Sequence, residues 1–165
     1  MYFLTDHVSS FIGPFVINET KSFLLNRDIT AQTVYEFSQK GTGPITSTGV
    51  QAAGFLTSSY AKARNESHHP DIQFMLVGNG IYPGMQNHLG HSFNIPFKSL
   101  GQFYGPNIGK DSFTIINLLS RPKSRGAIRL ASANPRDYPL IFPNYFTEQQ
   151  DIDVLVEGTY EGTKF

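Results

Sequence analysis

The segment Ser112–Ser120 constrains the fold most, because both of its alternating faces are largely apolar. Successive side chains of a strand point to opposite faces, so a strand of this composition is covered on both sides. The pattern therefore predicts a central strand. A proline, a glycine and three positive charges interrupt it in Arg121–Gly126, and alternation resumes in Ala127–Ala131. Two alternating runs joined by a polar connection predict a β-hairpin.

Two other segments have the spacing and the end signals of helices. Thr30 is a suitable cap for a helix over Thr30–Lys40, and Gly41 is a suitable stop. Thr147 and Gln150 have the spacing of a capping box, which predicts a second helix from Thr147. The residues expected on the buried stripe of that second helix are Ile152, Leu155 and Val156.

The middle of the chain predicts strands and one long loop. Gln51–Thr57 and Asp71–Val77 are short segments with the length and composition of strands, and the second is bounded by Pro70 and Gly78. Gly78–Gly109 is rich in glycine, proline, asparagine and aromatic residues. It predicts an ordered loop with little regular structure, whose aromatic side chains need apolar surroundings.

The composition favours one folded domain without a charged partner. The 165 residues are 39% hydrophobic, which is sufficient for a core. Thirteen basic and thirteen acidic residues cancel, so neither nucleic acid nor an anionic membrane is expected as a partner. No run approaches the roughly 18 apolar residues of a membrane span, and no signal peptide is recognisable, so localisation stays unassigned. Asn18-Glu-Thr20 and Asn65-Glu-Ser67 match the N-glycosylation pattern, which also arises by chance.

Several patterns suggest chemistry but lack a necessary part. The pairs His68-His69 and His88-x-x-His91 have no third ligand at a suitable spacing, which favours solvated histidines over a metal site. Ser120-x-x-Lys123 has none of the companion motifs of penicillin-recognising hydrolases. Gly78-Asn-Gly80 is followed by a proline and no helical pattern, so it does not predict a phosphate-binding loop.

Five blocks in a fixed order carry a family resemblance. They are DHVSSFIGPFVIN, GTGPITSTGVQAAGFLTSSYA, PDIQFMLVGNGIYPG, FYGPNIGKDSFTIINLLSRPKSRG and the overlapping SRPKSRGAIRLASANPRDYPLIFPNYF, the last followed by DVLVEG. Together they resemble the glucose-methanol-choline (GMC) oxidoreductases, in particular the insect glucose dehydrogenase-like branch. The resemblance runs from Asp6 to Gly158. Tyr2–Thr5 and the residues from Thr159 onward depart from the family pattern.

The resemblance implies an α+β fold, with a mainly antiparallel sheet of about five to six strands and helices on one face, as in the GMC substrate-binding domain. It implies that residues 1–165 are a single partial unit of that domain, from which the Rossmann FAD domain and the C-terminal catalytic segment are absent. In the intact family member FAD is the cofactor, and an alcohol or sugar and an electron acceptor are the partners. The chain alone is expected to bind no FAD, and the missing FAD domain is expected to pack on it.

The same resemblance suggests cofactor-binding residues near the start of the chain. Asp6 and His7 match the Asp-His pair at the point where the family chain leaves its flavin domain. For His7 a structural role is the alternative, because no partner for proton transfer lies at a readable spacing. Neither a catalytic residue nor a metal ligand is assigned.

Four polar or aromatic residues are assigned to the substrate-facing side. Gln73 and Asn117 are polar residues on otherwise apolar strands, so they either face the substrate cavity or bond to a neighbouring loop. Asn144 and Tyr145 follow a run of prolines and are assigned by resemblance alone.

The sequence is compatible with two functions. The first is a portion of an FAD-dependent alcohol or sugar dehydrogenase that contributes the wall of the substrate cavity and is inactive alone. The alternative is a non-catalytic binding or interaction module derived from that domain.

Overall fold

The computed structural model describes residues 2–165, with side chains from Leu4 onward. Two short 3-10 helices lie at Pro44–Thr46 and Gly105–Asn107. The strands are β1 (Tyr2–Leu4), β2 (Ser9–Val16), β3 (Val50–Leu56), β4 (Ile72–Val77), β5 (Ser112–Leu119), β6 (Gly126–Arg129) and β7 (Leu140–Phe142). The α-helices are α1 (Leu25–Asp28), α2 (Ala31–Lys40), α3 (Ser59–Ala63), α4 (Met85–Phe93), α5 (Phe97–Tyr104) and α6 (Gln149–Gly162).

The strands divide between two sheets. One has three strands in the order β1-β6-β7, and both of its pairs are antiparallel. The other has four strands in the order β2-β5-β4-β3. The amide of Asp71 donates to Leu56 O at 3.1 Å and that of Gly78 donates to Gly49 O at 3.3 Å, so β3 and β4 run in opposite directions. The predicted α+β class with mainly antiparallel strands is confirmed.

The chain groups into two compact units, each assembled from separate segments. The first contains the residues up to Ile12, Gly54–Phe74 and Ile116–Phe165, and the second contains Gly13–Ala53 and Met75–Ile115. The buried apolar side chains of the first unit are Ile12, Ala61, Ile72, Phe74, Leu119, Ala127 and Val154. Those of the second are Leu24, Ile81, Leu100, Tyr104 and Ile115. That residues 1–165 are one partial domain stays a prediction.

β5 agrees with the predicted central strand, because it lies between β2 and β4 and each of its residues is buried or half-buried. The predicted hairpin across Arg121–Gly126 is wrong, since β6 pairs with β1 and β7 in the other sheet. The carboxylate of Asp151 holds this connection. It accepts the amide of Lys123 at 2.7 Å and that of Ser124 at 2.8 Å.

α2 agrees with the sequence-based prediction at both ends. The Thr30 hydroxyl oxygen accepts the amide of Thr33 at 3.1 Å, and the Thr33 hydroxyl oxygen accepts the amide of Thr30 at 2.9 Å. Gly41 follows the helix in the left-handed conformation, with φ 61°. These end signals are local in sequence, which is why they predict the helix well.

The predicted loop over Gly78–Gly109 is wrong, because α4 and α5 lie within it. Neither helix has a side-chain cap at its start. Packing against other parts of the second unit stabilises them instead. The cluster that forms between them consists of Ile81, Leu100 and Tyr104, with Met85, Leu89 and Ile95 packed against it.

α6 begins at Gln149, and the predicted capping box is wrong. The Thr147 hydroxyl donates to Asn144 O at 3.2 Å, and Glu148, the residue before the helix, makes no capping bond. The predicted buried stripe is also wrong, since Val156 is 62% exposed. The residues of α6 that are buried are Asp151, Val154, Gly158 and Gly162.

The buried face of α6 is polar and small because it packs on Asn117 of β5. The fully buried Asn117 amide donates from Nδ2 to Leu155 O at 2.9 Å and to Thr159 Oγ1 at 3.1 Å. A Cβ built on Gly158 would lie 2.5 Å from Asn117 Oδ1. A glycine is therefore required where the helix crosses this amide.

Gly158→Ala tests this contact. We expect a loss of about 1–3 kcal/mol in the free energy of unfolding, the usual cost of overpacking, because the new methyl group would displace the Asn117 amide. Urea unfolding followed by circular dichroism measures the change.

The matched control is Gly101→Ala, at a glycine within α5 where an added Cβ would meet nothing within 4 Å. Alanine favours a helix over glycine, so this variant should be as stable as the original chain or up to about 1 kcal/mol more stable. Equal unfolding midpoints for the two variants would contradict the packing described for Gly158.

Candidate functional site

The structure brings together Asp6 and Tyr145, two of the residues assigned to the functional surface. The Tyr145 hydroxyl donates to Asp6 Oδ2, and Asp6 Oδ1 accepts the amide of His7 at 2.8 Å. His7 Nδ1 lies 2.9 Å from Leu119 O, and it must carry the proton because a carbonyl oxygen only accepts. Asp6, His7 and Tyr145 are referred to below as the Asp6 cluster. It joins the segment before β2 to the turn after β7.

Asn144 fixes the turn that carries Tyr145. Its backbone is left-handed, with φ 52°, and its Nδ2 donates to Arg125 O at 3.2 Å. A narrow cavity of about 10 Å³ lies between this turn and Asp6, with Asp151 also in its wall. A space of that size holds at most one water molecule. The Asp6 cluster is thus a surface contact between exposed side chains and does not itself form a substrate pocket.

Gln73 and Asn117 lie on different faces of the sheet. Asn117 points towards α6, and its hydrogen bonds to that helix favour a structural role for the residue over a contact with substrate. The neighbour of Gln73 on β4, Phe74, also lies on the α6 side, since a Cβ added to Gly162 would be 3.5 Å from its ring. Side chains alternate along a strand, so Gln73 points to the opposite face. It is half-buried and forms no side-chain hydrogen bond within residues 2–165 as described.

The second unit contains a larger cavity, of about 630 Å³, which is within the usual range for small-molecule sites. Phe23, Leu76 and Phe113 line it together with polar side chains. One of these is Arg27, whose Nη1 donates to Asp111 Oδ2 at 2.7 Å and whose Nε donates to Asp28 Oδ1 at 2.8 Å. This cavity is referred to below as the Arg27 cavity.

The charges around the Arg27 cavity are fixed at neutral pH. Hydrogen bonds from Arg27 lower the pKa of Asp28. Burial raises the pKa of Asp111, but hydrogen bonds from Arg27 and Ser22 outweigh it and leave the pKa lowered. The two carboxylates in turn raise the pKa of Arg27. The three groups form a permanent ion-pair network, which suits binding and positioning and does not suit proton transfer.

Sequence reasoning missed the Arg27 cavity. The available signal was the Arg27-Asp28 pair just before a capped helix, together with Asp111 directly before the most apolar strand. A charged residue at the start of a buried strand needs a partner, and the sequence does not indicate which arginine supplies it.

The segment Gly78-Asn-Gly80 does not form a loop that could hold the phosphates of FAD. Gly84, directly before α4, is open, but Gly80 is covered by the protein itself. A Cβ on Gly80 would lie 2.6 Å from Leu24 Cγ and 2.9 Å from Lys110 O, so no phosphate has room there. The Asp6 and His7 groups that the resemblance assigns to the cofactor are engaged with Tyr145 and Leu119.

The described residues contain neither a cluster of metal ligands nor a membrane-spanning helix. No three histidine, aspartate or glutamate side chains converge as a metal site would require in the described part of the chain. None of the helices found within residues 2–165 has the length and hydrophobicity for a bilayer crossing.

Comparison with known proteins identifies the family. Residues 122–163, which contain β6, β7 and α6, match the family described as GMC oxidoreductase. The protein named Dehydrogenase str4, from Strobilurus tenacellus, is 31% identical over 94% of this chain and 26% of its own length. Alcohol dehydrogenase (acceptor) from Pseudomonas putida is 34% identical over 75% of this chain and 18% of its own length. Glucose dehydrogenase (FAD, quinone) from Drosophila pseudoobscura pseudoobscura is 60% identical over 22% of this chain and 6% of its own length.

The chain belongs to the glucose-methanol-choline (GMC) oxidoreductase family. It spans about a quarter, or less, of the length of the relatives it matches. The family match includes Tyr145 and Asn144 of the candidate site and the Asp151 that supports it.

Tyr145→Phe tests the Asp6 cluster. The Tyr145 hydroxyl and the His7 amide lower the pKa of Asp6, so we expect that pKa to rise towards its ordinary value in the variant. A carboxyl group whose pKa falls on folding stabilises the fold above its unfolded-state pKa. That contribution begins to fall below about pH 4, the ordinary pKa of aspartate, and disappears as the pH drops through the folded-state pKa. The stability advantage over the variant should therefore shrink progressively below about pH 4.

Carbon-13 NMR titration of the Asp6 carboxyl measures this change. Tyr138→Phe is the control, because Tyr138 is 91% exposed and its hydroxyl forms no hydrogen bond within the described residues. It should leave the Asp6 titration unchanged. An identical titration of Asp6 in both variants would refute the assignment of the Tyr145 bond.

Proposed function

We propose that the chain contributes the wall of the substrate cavity in an FAD-dependent oxidoreductase that acts on the CH–OH group of an alcohol or sugar. Membership of the GMC family supports the oxidoreductase, and two relatives named as alcohol and glucose dehydrogenases support this substrate class. The observation that carries the proposal is the hydrogen bond between Tyr145 and Asp6. The family resemblance assigns Asp6 to the cofactor and Tyr145 to the substrate-facing side, and the two residues are in contact.

Gln73 is the residue proposed to contact the substrate. Its side chain points away from α6, and its amide has no hydrogen-bond partner among the residues that the structure describes. A half-buried amide gains a partner when a hydroxyl group binds to it. The amides of Asn117 and Asn144 already bond to the backbone, so their proposed role is to hold the strand and the turn in position.

The segment 129–149 supports the packing of a flavin domain on this chain. Every residue in it is exposed, including Leu130 at 85% and Ile141 of β7 at 59%. Apolar side chains at the open edge of a sheet favour association with another protein surface. We propose that the FAD domain of the intact enzyme covers this surface.

In intact family members FAD supplies the hydride acceptor for alcohol oxidation. The chain alone is proposed neither to retain FAD nor to oxidise substrate, because Gly80 leaves no room for a phosphate and the side chains of Asp6 and His7 are bonded within the chain. No step of the flavin chemistry is assigned to its side chains.

The purified chain, incubated with FAD and then passed through a desalting column, tests this part of the proposal. We expect no flavin absorption band in the protein fraction and no dye reduction with alcohols or glucose, while circular dichroism reports the helices and strands described above. A yellow protein fraction that reduces the dye would overturn the proposal.

The second candidate function is a binding module that has kept the fold without the catalysis. The Arg27 cavity favours it, because it combines an apolar lining with fixed charges and belongs entirely to this chain. A module of this kind should unfold in one cooperative thermal transition and should not bind dyes that report exposed apolar surface.

Ile141→Lys distinguishes the two candidates. If the β7 surface is normally covered by a flavin domain, the lysine should reduce both the fluorescence of a bound apolar dye and the self-association of the chain. Val156→Lys is the matched control, since Val156 is exposed to a similar extent, 62%, but lies on α6. Equal effects of the two lysines, or no dye binding by the original chain, would favour the binding module.

A further inference from the structure

Two surface turns carry the triplet that N-linked glycosylation requires. They are Asn18-Glu19-Thr20 and Asn65-Glu66-Ser67, and neither middle residue is proline. Both asparagines and both hydroxyl residues are exposed. The triplet alone arises by chance, so accessibility of its side chains decides whether the fold is compatible with a glycan.

Asn65 lies at a tight turn directly after α3. Its backbone is left-handed, with φ 59°, and its amide donates to Lys62 O at 3.0 Å. Two arginines hold the middle residue of the triplet: Arg64 Nε lies 3.1 Å from Glu66 Oε1, and Arg121 lies 3.0 Å from Glu66 Oε2. The turn is therefore fixed by its neighbours, while the Asn65 side chain remains in solvent.

Asn18 lies in the connection that follows β2. The amide of Ile17 donates to Asp111 O at 3.0 Å, so the chain is anchored one residue before the triplet. Glu19 pairs with Lys21 at 3.6 Å, and both side chains are largely exposed. The Asn18 side chain forms no hydrogen bond within the described residues, and it extends from an anchored backbone into solvent.

The hydroxyl groups of the triplets are also accessible. Ser67 uses only its backbone oxygen, which accepts the Thr57 hydroxyl at 3.1 Å. Neither the Thr20 nor the Ser67 hydroxyl forms a hydrogen bond to any group in the described part of the chain. The enzyme that attaches N-glycans recognises an exposed asparagine amide and an exposed hydroxyl two positions later.

We propose that Asn18 and Asn65 are N-glycan attachment sites. The co-reactant is a lipid-linked oligosaccharide pyrophosphate. A bond forms between the asparagine Nδ2 and the anomeric carbon of the sugar, the bond from that carbon to the pyrophosphate oxygen breaks, and the lipid pyrophosphate leaves as the amide loses one proton. The reaction involves no change of oxidation state.

The full chain, directed into the secretory pathway of a eukaryotic host by an added leader, tests both sites. Peptide N-glycosidase should lower its mass by two glycans and leave aspartate at positions 18 and 65, as read by peptide mass spectrometry. Asn18→Gln and Asn65→Gln should each lose one glycan. Thr20→Ala and Ser67→Ala should do the same while keeping the asparagine amides.

Asn94→Gln is the matched control. Asn94 is exposed and left-handed, with φ 53°, like Asn65, but Ile-Pro follows it and completes no triplet. This variant should keep both glycans. A chain without glycans would overturn the proposal. A glycan at only one of Asn18 and Asn65 would overturn the assignment of the asparagine that lacks it. A glycan that persists on Asn18 after Thr20→Ala, or on Asn65 after Ser67→Ala, would overturn the assignment of that asparagine.

A thermal melt before and after enzymatic removal of the glycans tests their compatibility with the fold. Because both asparagines extend into solvent, we expect the same Tm in both states. A lower Tm for the glycosylated chain would contradict the exposure on which the proposal rests. These measurements do not involve flavin, so their outcome is independent of the proposed oxidoreductase function.

Discussion

The buried carboxylate of Asp151 is the interaction on which the last part of the chain depends. It is 2% exposed and accepts the amides of Lys123 and Ser124. A buried carboxylate that loses its partners costs several kcal/mol, so the connection between β5 and β6 stays attached to the first turn of α6. That attachment sets where β6 begins. Through β6 and β7 it also sets the turn that presents Tyr145 to Asp6.

The elements that sequence reasoning found are those whose signals are local. β5 is apolar on both faces, and α2 has a threonine at its start and a glycine after its end. One partner of β6, the strand β1, lies far from it in sequence, and α4 and α5 begin without a side-chain cap. The apolar stripe predicted for α6 is wrong because the buried face of this helix contains Asp151 and Gly158. Asp151 holds the connection between β5 and β6, and Gly158 leaves space for the Asn117 side chain.

The candidate site was predictable as a set of residues and not as a geometry. Family resemblance assigned both Asp6 and Tyr145, yet their contact spans 139 positions of sequence and no local pattern announces it. The same holds for the ion pair of Arg27 with Asp111, which are 84 positions apart. Arg27 lines a cavity that sequence reasoning did not find. For Asn117 the sequence predicts burial but not the partner. A polar residue on an apolar strand is expected to be hydrogen-bonded, and the pattern does not indicate whether the partner is a ligand or a helix.

The three-stranded sheet has a consequence for how the protein is made. Leu4 pairs with Gly126, so β1 leaves the ribosome long before its partner exists. The contacts of α4 with α5 are close in sequence and are able to form early, whereas pairing across such a long separation is slow. A nascent chain therefore presents β1 unpaired to chaperones while the residues between β1 and β6 are synthesised, and synthesis of β6 ends this exposure.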